Sequence, residues 1–508
     1  MKNIQDIKKA MLDKRSGQSI ERINDVDTSQ NLNQDLLDGN YNGLYSKGLD
    51  HDPVTMVASE SDIKDIQLAM ETGKQLFFDK VELKGTRKLA SPQGAFSFEL
   101  CGSDPEGVSM VDTPTLNSRE AAAEMVEVYA KNILRDIPFS EYETGAHADI
   151  QTVIDALNSF GDDFKGPKED GLVTTKTLFR GDSPGCIVGG YISQLLLNEI
   201  GVGNFSYEPT GPTKTGVYGI TKANYLEIQN GNVPVAQTID STKKYMNNGR
   251  QIGSTVHIDL VFQHFYEAAA ILLNAGVTVG EQIGVGPKEG NFLGGPVLST
   301  TGVAEVARHA LRAAWVQKWR KHLRLRPEAM AARVVAEKEG LLPDGTVHAD
   351  LKNSTVIPLV EAYNVSNGGD NAAFLPLQYA EGSPTHPSYP AGHATIAGAC
   401  ATLLKIMFAD GLWSTTSLGE KQSSVDGSGV EAYAGADAGT ITIHGEINKL
   451  AHNVALGRDY AGVHYRSDSE LLLGEKVAIQ YYKDQKSLFN ETVADKTFIG
   501  FGGDEITL

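Results

Sequence analysis

At least six segments of this chain repeat apolar residues at helical spacing, most of them closed by glycine, proline or a basic turn. A chain patterned this way must bury one stripe of each helix against other helices. The spacing predicts helices over 119–136, 149–161 (closed by Gly161), 255–276 (ending at Gly276) and 393–408. It also predicts a buried helix with a glycine-rich entry over 185–201, and a long helix over 302–330 running into Pro327. Residues 444–485 read as nearly all helix, broken near Gly457 and Gly462. Segment 203–250 is loop-rich, and the Gly/Ser-rich stretch 414–440 reads as an excursion with a short hairpin. No repeat is evident. The expected fold is mainly α: a helical-bundle core with long loops and minor short β-hairpins. Residues 1–60 are polar and weakly periodic, an expected N-terminal arm for subunit contacts, with the helical body over 61–508.

A net charge of −19 argues against a nucleic-acid binder or a protein of anionic membrane surfaces. No apolar run is long enough for a transmembrane helix. The start, MKNIQDIKKAMLDKRSGQ, lacks the apolar stretch of a signal peptide, which favours the cytoplasm slightly. Three cysteines make no disulfide framework: Cys400 reads as a buried thiol, while Cys101 and Cys186, in loops, could pair or stay free.

Against that acidic background, residues 306–334 carry eight Lys/Arg and one acid, Glu328. The ordinary reading of such a run is a solvated helix face. Two features favour a binding role. Arg326 precedes Pro327, where a helix is expected to stop, so its side chain can project from a terminus. Two further stretches also suit an anion. In HPSYPAGHATIAGAC (386–400), His393 follows Gly392 at the first turn of an apolar helix, where free N–H groups and the helix dipole attract negative charge. In GRDYAGVHYRSD (457–468), Arg458 is followed by His464 and Asp468, four apart and expected on one helical face. The carboxylate would then fix the imidazole tautomer and raise the basicity of its free nitrogen. Lys318, Arg326, Arg458, the Gly392 backbone, His393 and His464 form a set suited to a small, multiply charged oxyanion.

Lys318…Arg326-Pro327, Pro390-Ala391-Gly392-His393 and Arg458…His464…Asp468 together resemble the three-part signature of vanadium-dependent haloperoxidases and type-2 phosphatidic acid phosphatases. Seven residues separate Lys318 from Arg326, the haloperoxidase spacing. KWRKHLRLRPEA, SPTHPSYPAGHAT, GVHYRSDS and LFRGDSPGCIVGGYISQLLL are similar to the algal and cyanobacterial bromoperoxidases. The likeness runs over roughly residues 60–490. It implies a haloperoxidase-like helical fold whose pocket comes from 318–326, 386–393 and 458–468. Vanadate is the implied cofactor: vanadium on His464, its charged oxygens held by Lys318, Arg326, Arg458 and the Gly392 N–H, and the apical oxygen bonded by His393. Asp468 would orient His464, and His386 matches a second histidine near the bromoperoxidase pocket. The implied reaction takes bromide and hydrogen peroxide to hypobromous acid, which halogenates an organic acceptor. No haem-attachment or zinc pattern is present, and no calcium ligand set is assigned. The resemblance also implies a homo-oligomer, from dimer to dodecamer.

Two positions depart from the pattern. Ala391 stands where the family usually has serine, which removes one hydrogen bond to the oxyanion. Gln317 stands where some relatives carry arginine or a large aromatic, and is expected to line the halide approach. Two other functions are open to this sequence. An acid phosphatase would use the same constellation, with His464 as nucleophile and His393 as leaving-group acid. A non-enzymatic helical assembly protein would leave the pocket vestigial, a reading that Ala391 supports.

Overall fold

The computed structural model describes residues 33–97, 104–202, 205–279, 295–487 and 495–508, with short helical pieces between 5 and 17. The larger helices are α1 (Glu60–Thr72), α2 (Arg119–Leu134), α3 (Ala148–Asn158), α4 (Lys222–Gln229), α5 (Gly249–Thr255), α6 (Gln263–Asn274), α7 (Pro296–Val316), α8 (Pro327–Lys338), α9 (Val356–Ser366), α10 (Gly392–Met407), α11 (Ile443–Tyr460) and α12 (Leu472–Ser487). Among the described residues, strands are confined to four two-stranded antiparallel hairpins, of which Thr210–Thr215 with Thr238–Tyr245 is the longest. The hairpin expected within 414–440 joins Lys421–Ser423 to Val430–Ala432. No helix among the described residues is long and apolar enough to cross a membrane.

Helix α10 is the axis of the core. Its sequence, GHATIAGACATLLKIM, is rich in small residues, and α7, α11 and α12 all pack on it. The approach to α12 is close enough that glycine is required at both ends. A Cβ on Gly398 would lie 2.1 Å from the Leu471 carbonyl oxygen, and one on Gly474 2.1 Å from that of Thr395. A second, smaller core gathers Leu44, Tyr45, Leu49, Ile63, Ile66, Met70, Trp319 and Leu323. Residues 33–60 of the expected arm are thus packed on their own chain; most of 1–32 lies outside the described residues.

Four expected helices differ from the structure. Segment 185–201 is no helix: Gly185 and Gly189 take φ of +84° and +72°, and only Gln194–Leu196 makes a 3₁₀ turn. Its backbone is held instead by α11 side chains, with Asn453 accepting from Ser193 N at 2.9 Å and Glu446 from Gln194 N at 2.7 Å. The helix expected at 255–276 begins only at Gln263, and 256–262 is a loop. The helix expected at 302–330 is two: α7 ends in a π-turn over Gln317–His322, Leu323 takes φ +43°, and Pro327 opens α8. In 444–485 the break falls at Gly462 (φ +83°), not at Gly457. Gly457 lies within α11, where a Cβ would meet Ile252 of α5 at 2.7 Å. Cys186 and Cys400 are buried free thiols; Cys101 lies outside the described residues.

Candidate active site

The breaks in the helices position the site. Lys318 sits on the π-turn that closes α7, and Arg326 is the residue before Pro327 at the start of α8. After the π-turn, Leu323 to Arg326 pairs with the N-terminal segment. Tyr45 N donates to Leu323 O at 2.8 Å, and Leu325 N to Gly43 O at 3.1 Å. Arg458 lies in the last turn of α11, and His464 follows the turn at Gly462. Ala391 N donates to Asp468 O at 2.7 Å, which ties the start of α10 to the His464 loop.

Lys318, Arg326 and Arg458 are all buried. Lys318 Nζ donates to Pro387 O at 2.9 Å and Ser388 O at 2.7 Å. Arg326 donates from Nε to His386 O at 2.9 Å and from Nη1 to Val463 O at 2.7 Å. Arg458 Nη1 reaches Val256 O at 2.8 Å, its Nε has no partner, and its guanidinium lies 5.2 Å from the Tyr379 ring centroid. Every one of these partners is neutral. Other buried cations are paired: Lys47 with Glu328 at 2.8 Å, Lys131 with Asp459 at 2.9 Å and Arg324 with Glu124 at 2.8 Å. Arg135 and Arg333 also meet only neutral partners but stand singly. Three buried cations without a carboxylate are costly unless an anion joins them. Burial, with Arg326 and Arg458 nearby, pushes the Lys318 ammonium well below its ordinary range. Burial lowers the Arg326 guanidinium to about 10.

His464 is the neutral centre of this cluster. Its Nδ1 donates to Asp468 Oδ2 at 2.9 Å, and its Nε2 faces Arg326 Nη1 at 3.0 Å. Burial and Arg326 push the imidazole well below 6.5, so Nε2 carries no proton and accepts from Arg326. The His–Asp contact comes from a loop and a 3₁₀ turn over Ser467–Ser469, not from the helical face expected from the spacing. Burial alone would raise the Asp468 carboxyl; Arg324 and the His464 bond hold it well below its ordinary range. Arg324 Nη1 donates to Asp468 Oδ1 at 2.8 Å, while Tyr465 N (3.1 Å) and the Ser388 hydroxyl donate to Oδ2.

His386 joins the cluster, with Nδ1 2.9 Å from Arg326 Nη2. The ring of Trp315, 5.0 Å away between centroids, packs edge-on against it. This indole, from the last turn of α7, meets the cluster, whereas Gln317 points elsewhere. The Gln317 amide donates to Val108 O at 2.9 Å and its oxygen lies 3.1 Å from His322 Nε2. His393, partly exposed in the first turn of α10, has Nε2 3.0 Å from Asp259 Oδ1. Burial lowers its pKa and Asp259 opposes that shift. No side chain caps α10 at Ala391, which leaves the first-turn N–H groups, including that of Gly392, for an anion.

Sequence reasoning missed Asp259, Arg324, Ser388, Trp315 and Tyr379. Asp259 was hidden inside an expected helix. Ser388 and Arg324 lie within the quoted motifs, where only the histidines and the two outer cations carried a stated role. The donor set fits one ligand class: a small, multiply charged oxyanion beside one neutral imidazole nitrogen.

Known proteins share this architecture. The family model for the VCPO second helical-bundle domain matches residues 299–491. A vanadium-dependent bromoperoxidase of Corallina pilulifera is 30% identical over 91% of this chain and 90% of its own length. One from Ascophyllum nodosum is 33% identical over 80% of this chain and 74% of its own. The homohexameric structure of the second vanadate-dependent bromoperoxidase of A. nodosum superposes with a TM-score of 0.87 at 25% identity, covering 100% of this chain and 91% of that one. Likeness of that extent, at 30% identity or more over most of the chain, places this protein in the vanadium-dependent bromoperoxidase family.

Proposed function

We propose that this chain binds vanadate and oxidises bromide with hydrogen peroxide to hypobromous acid. The observation that carries this reading is the trio of buried cations, Lys318, Arg326 and Arg458, that meet no carboxylate among the described residues. His464 Nε2 would hold the metal, the three cations and the Gly392 N–H would hold the negative charge, and His386 would join through Arg326. When bound, vanadate supplies a Lewis acid that polarises peroxide without a change of oxidation state.

The remaining work falls to the chain. Asp468, clamped by Arg324 and Ser388, keeps His464 in the tautomer with Nδ1 protonated. Asp259 engages His393 Nε2, so His393 Nδ1 is the ring atom that can take up and return a proton. Trp315 covers His386 and sets the apolar edge of the halide approach. By analogy with the homohexameric relative, we propose a homo-oligomer, to be checked by light scattering.

The test is bromination of a cyclic diketone by peroxide and bromide before and after loading with vanadate. Vanadate-dependent bromination is expected. Hydrolysis of a phenyl phosphate, blocked by vanadate and without bromination, would assign the pocket to an acid phosphatase instead.

A further inference from the structure

Each turnover proposed above consumes one proton: H2O2 + Br⁻ + H⁺ gives HOBr + H2O. The O–O bond breaks, an O–Br bond forms, bromide is oxidised by two electrons and peroxide is reduced. Some group must return a proton to the pocket every cycle. His393 is the exchanging group, and its only carboxylate partner among the described residues is Asp259.

Asp259 does not end the series. Its second oxygen, Oδ2, lies 4.0 Å from His264 Nε2, and His264 Nδ1 lies 3.6 Å from Glu267 Oε2. All three side chains are buried. The four atoms that face each other across these gaps, Asp259 Oδ2, both His264 ring nitrogens and Glu267 Oε2, have no hydrogen-bond partner among the described residues. Buried polar atoms are almost always bonded, so four orphans aligned in pairs need an explanation. Gaps of this size close by a small side-chain rotation, so a proton can pass between groups that are not locked in a fixed ion pair. Glu267 Oε1 accepts from half-buried Gln263 at 2.9 Å. The loop before α6 reaches the surface, with Ile258 84% and Leu260 66% exposed in the single chain. The series therefore runs from His393 through Asp259 and His264 to Glu267, which touches the half-buried Gln263. The titratable and charged groups around His264 are Asp259 and Glu267, with His393 and Arg458 beyond Asp259 and Tyr207 beside Glu267.

We propose that His264 and Glu267 extend the His393–Asp259 pair into a proton feed that restores, at His393, the proton used in each halide oxidation. The inference rests on the peroxidase reading above. It is tested with His264→Gln and Glu267→Gln, which keep size and polarity but cannot relay a proton through a titrating group. Steady-state bromination is measured from pH 6 to 8, with and without added imidazole, and vanadate affinity is measured by titrating the apo-protein. The expected result is a fall in kcat of about tenfold at the alkaline end, smaller at pH 6, reversed by imidazole, with bromide KM and vanadate affinity unchanged. A kcat equal to wild type at every pH in both variants overturns the proposal, as does a loss that imidazole does not reverse. Should the wild type bind vanadate without brominating, the peroxidase reading itself fails; wild-type bromination with unaffected variants sinks the proton feed alone.

Discussion

Replacing Ala391 with serine tests how the anion lies over α10. Ala391 is the residue before the first turn, fully buried, with φ −66° and ψ 129°, and no side chain caps the helix. That backbone conformation is the one a capping serine adopts. A hydroxyl has one donor and two acceptor positions, so Oγ can accept from a first-turn N–H and donate to a bound anion together. The cap contributes about 1 kcal/mol to the apo-protein. The second bond, to a charged oxygen, contributes about 1.5–3 kcal/mol, or roughly 10- to 150-fold in affinity. The assay is calorimetric titration of both apo-proteins with vanadate, alongside urea unfolding. The expected outcome is a gain in both. A serine variant that is more stable yet binds vanadate no more tightly would show that Oγ serves only the helix and that the anion does not lie over this turn. Weaker binding would show the buried position to be overfilled, and either result refutes the placement.

Three further outcomes are expected. His464→Ala removes the imidazole that Asp468 orients against Arg326, and vanadate titration should show no binding; retained binding would remove His464 from the metal-holding role. Arg324→Met deletes the clamp on Asp468 Oδ1 and strands Glu124, so unfolding free energy should fall by about 3–5 kcal/mol and vanadate affinity by roughly 10- to 100-fold; a destabilised variant with intact affinity would deny Arg324 its positioning role. The pH dependence follows from the two lowered groups. His464 is held well below 6.5, so Nε2 carries no proton to displace, and vanadate affinity should persist as pH falls from 7 to about 5.5. Lys318 is also lowered, and a bound anion raises it, so binding takes up a proton and affinity should fall as pH climbs into the alkaline range. A tenfold loss per unit on acidification through 6.5 would contradict the His464 assignment.

The long helices were legible because their apolar stripes survive in sequence: α2, α3 and α10 lie within a few residues of where spacing puts them. The candidate cations stood out for a different reason, since basic clusters are conspicuous in a chain of net charge −19. Segment 185–201 was misread because its leucines are buried one by one against α11, and periodicity does not distinguish such a segment from a helix. Asp259 was invisible because its meaning is tertiary. Nothing in TVHIDLVF marks the aspartate as the partner of a histidine 134 residues away.

The misread boundaries share a cause. Residues 256–262, 317–326 and 461–468 all carry apolar spacing that would extend the neighbouring helix, yet each leaves it. In each case the departure carries a site residue: Asp259, the Lys318–Arg326 pair, and His464 with Asp468. A continuous helix would place Lys318 and Arg326 about 12 Å apart along its axis, on faces set by the spacing rather than around one centre. The π-turn, the left-handed Leu323 and the extended run to Arg326 turn both cations toward His464. The cost is met by backbone pairing with residues 43–45, in a segment of low apolar content. Local propensity and fold therefore disagree where the proposed anion would be surrounded on several sides, which no single helical face can do.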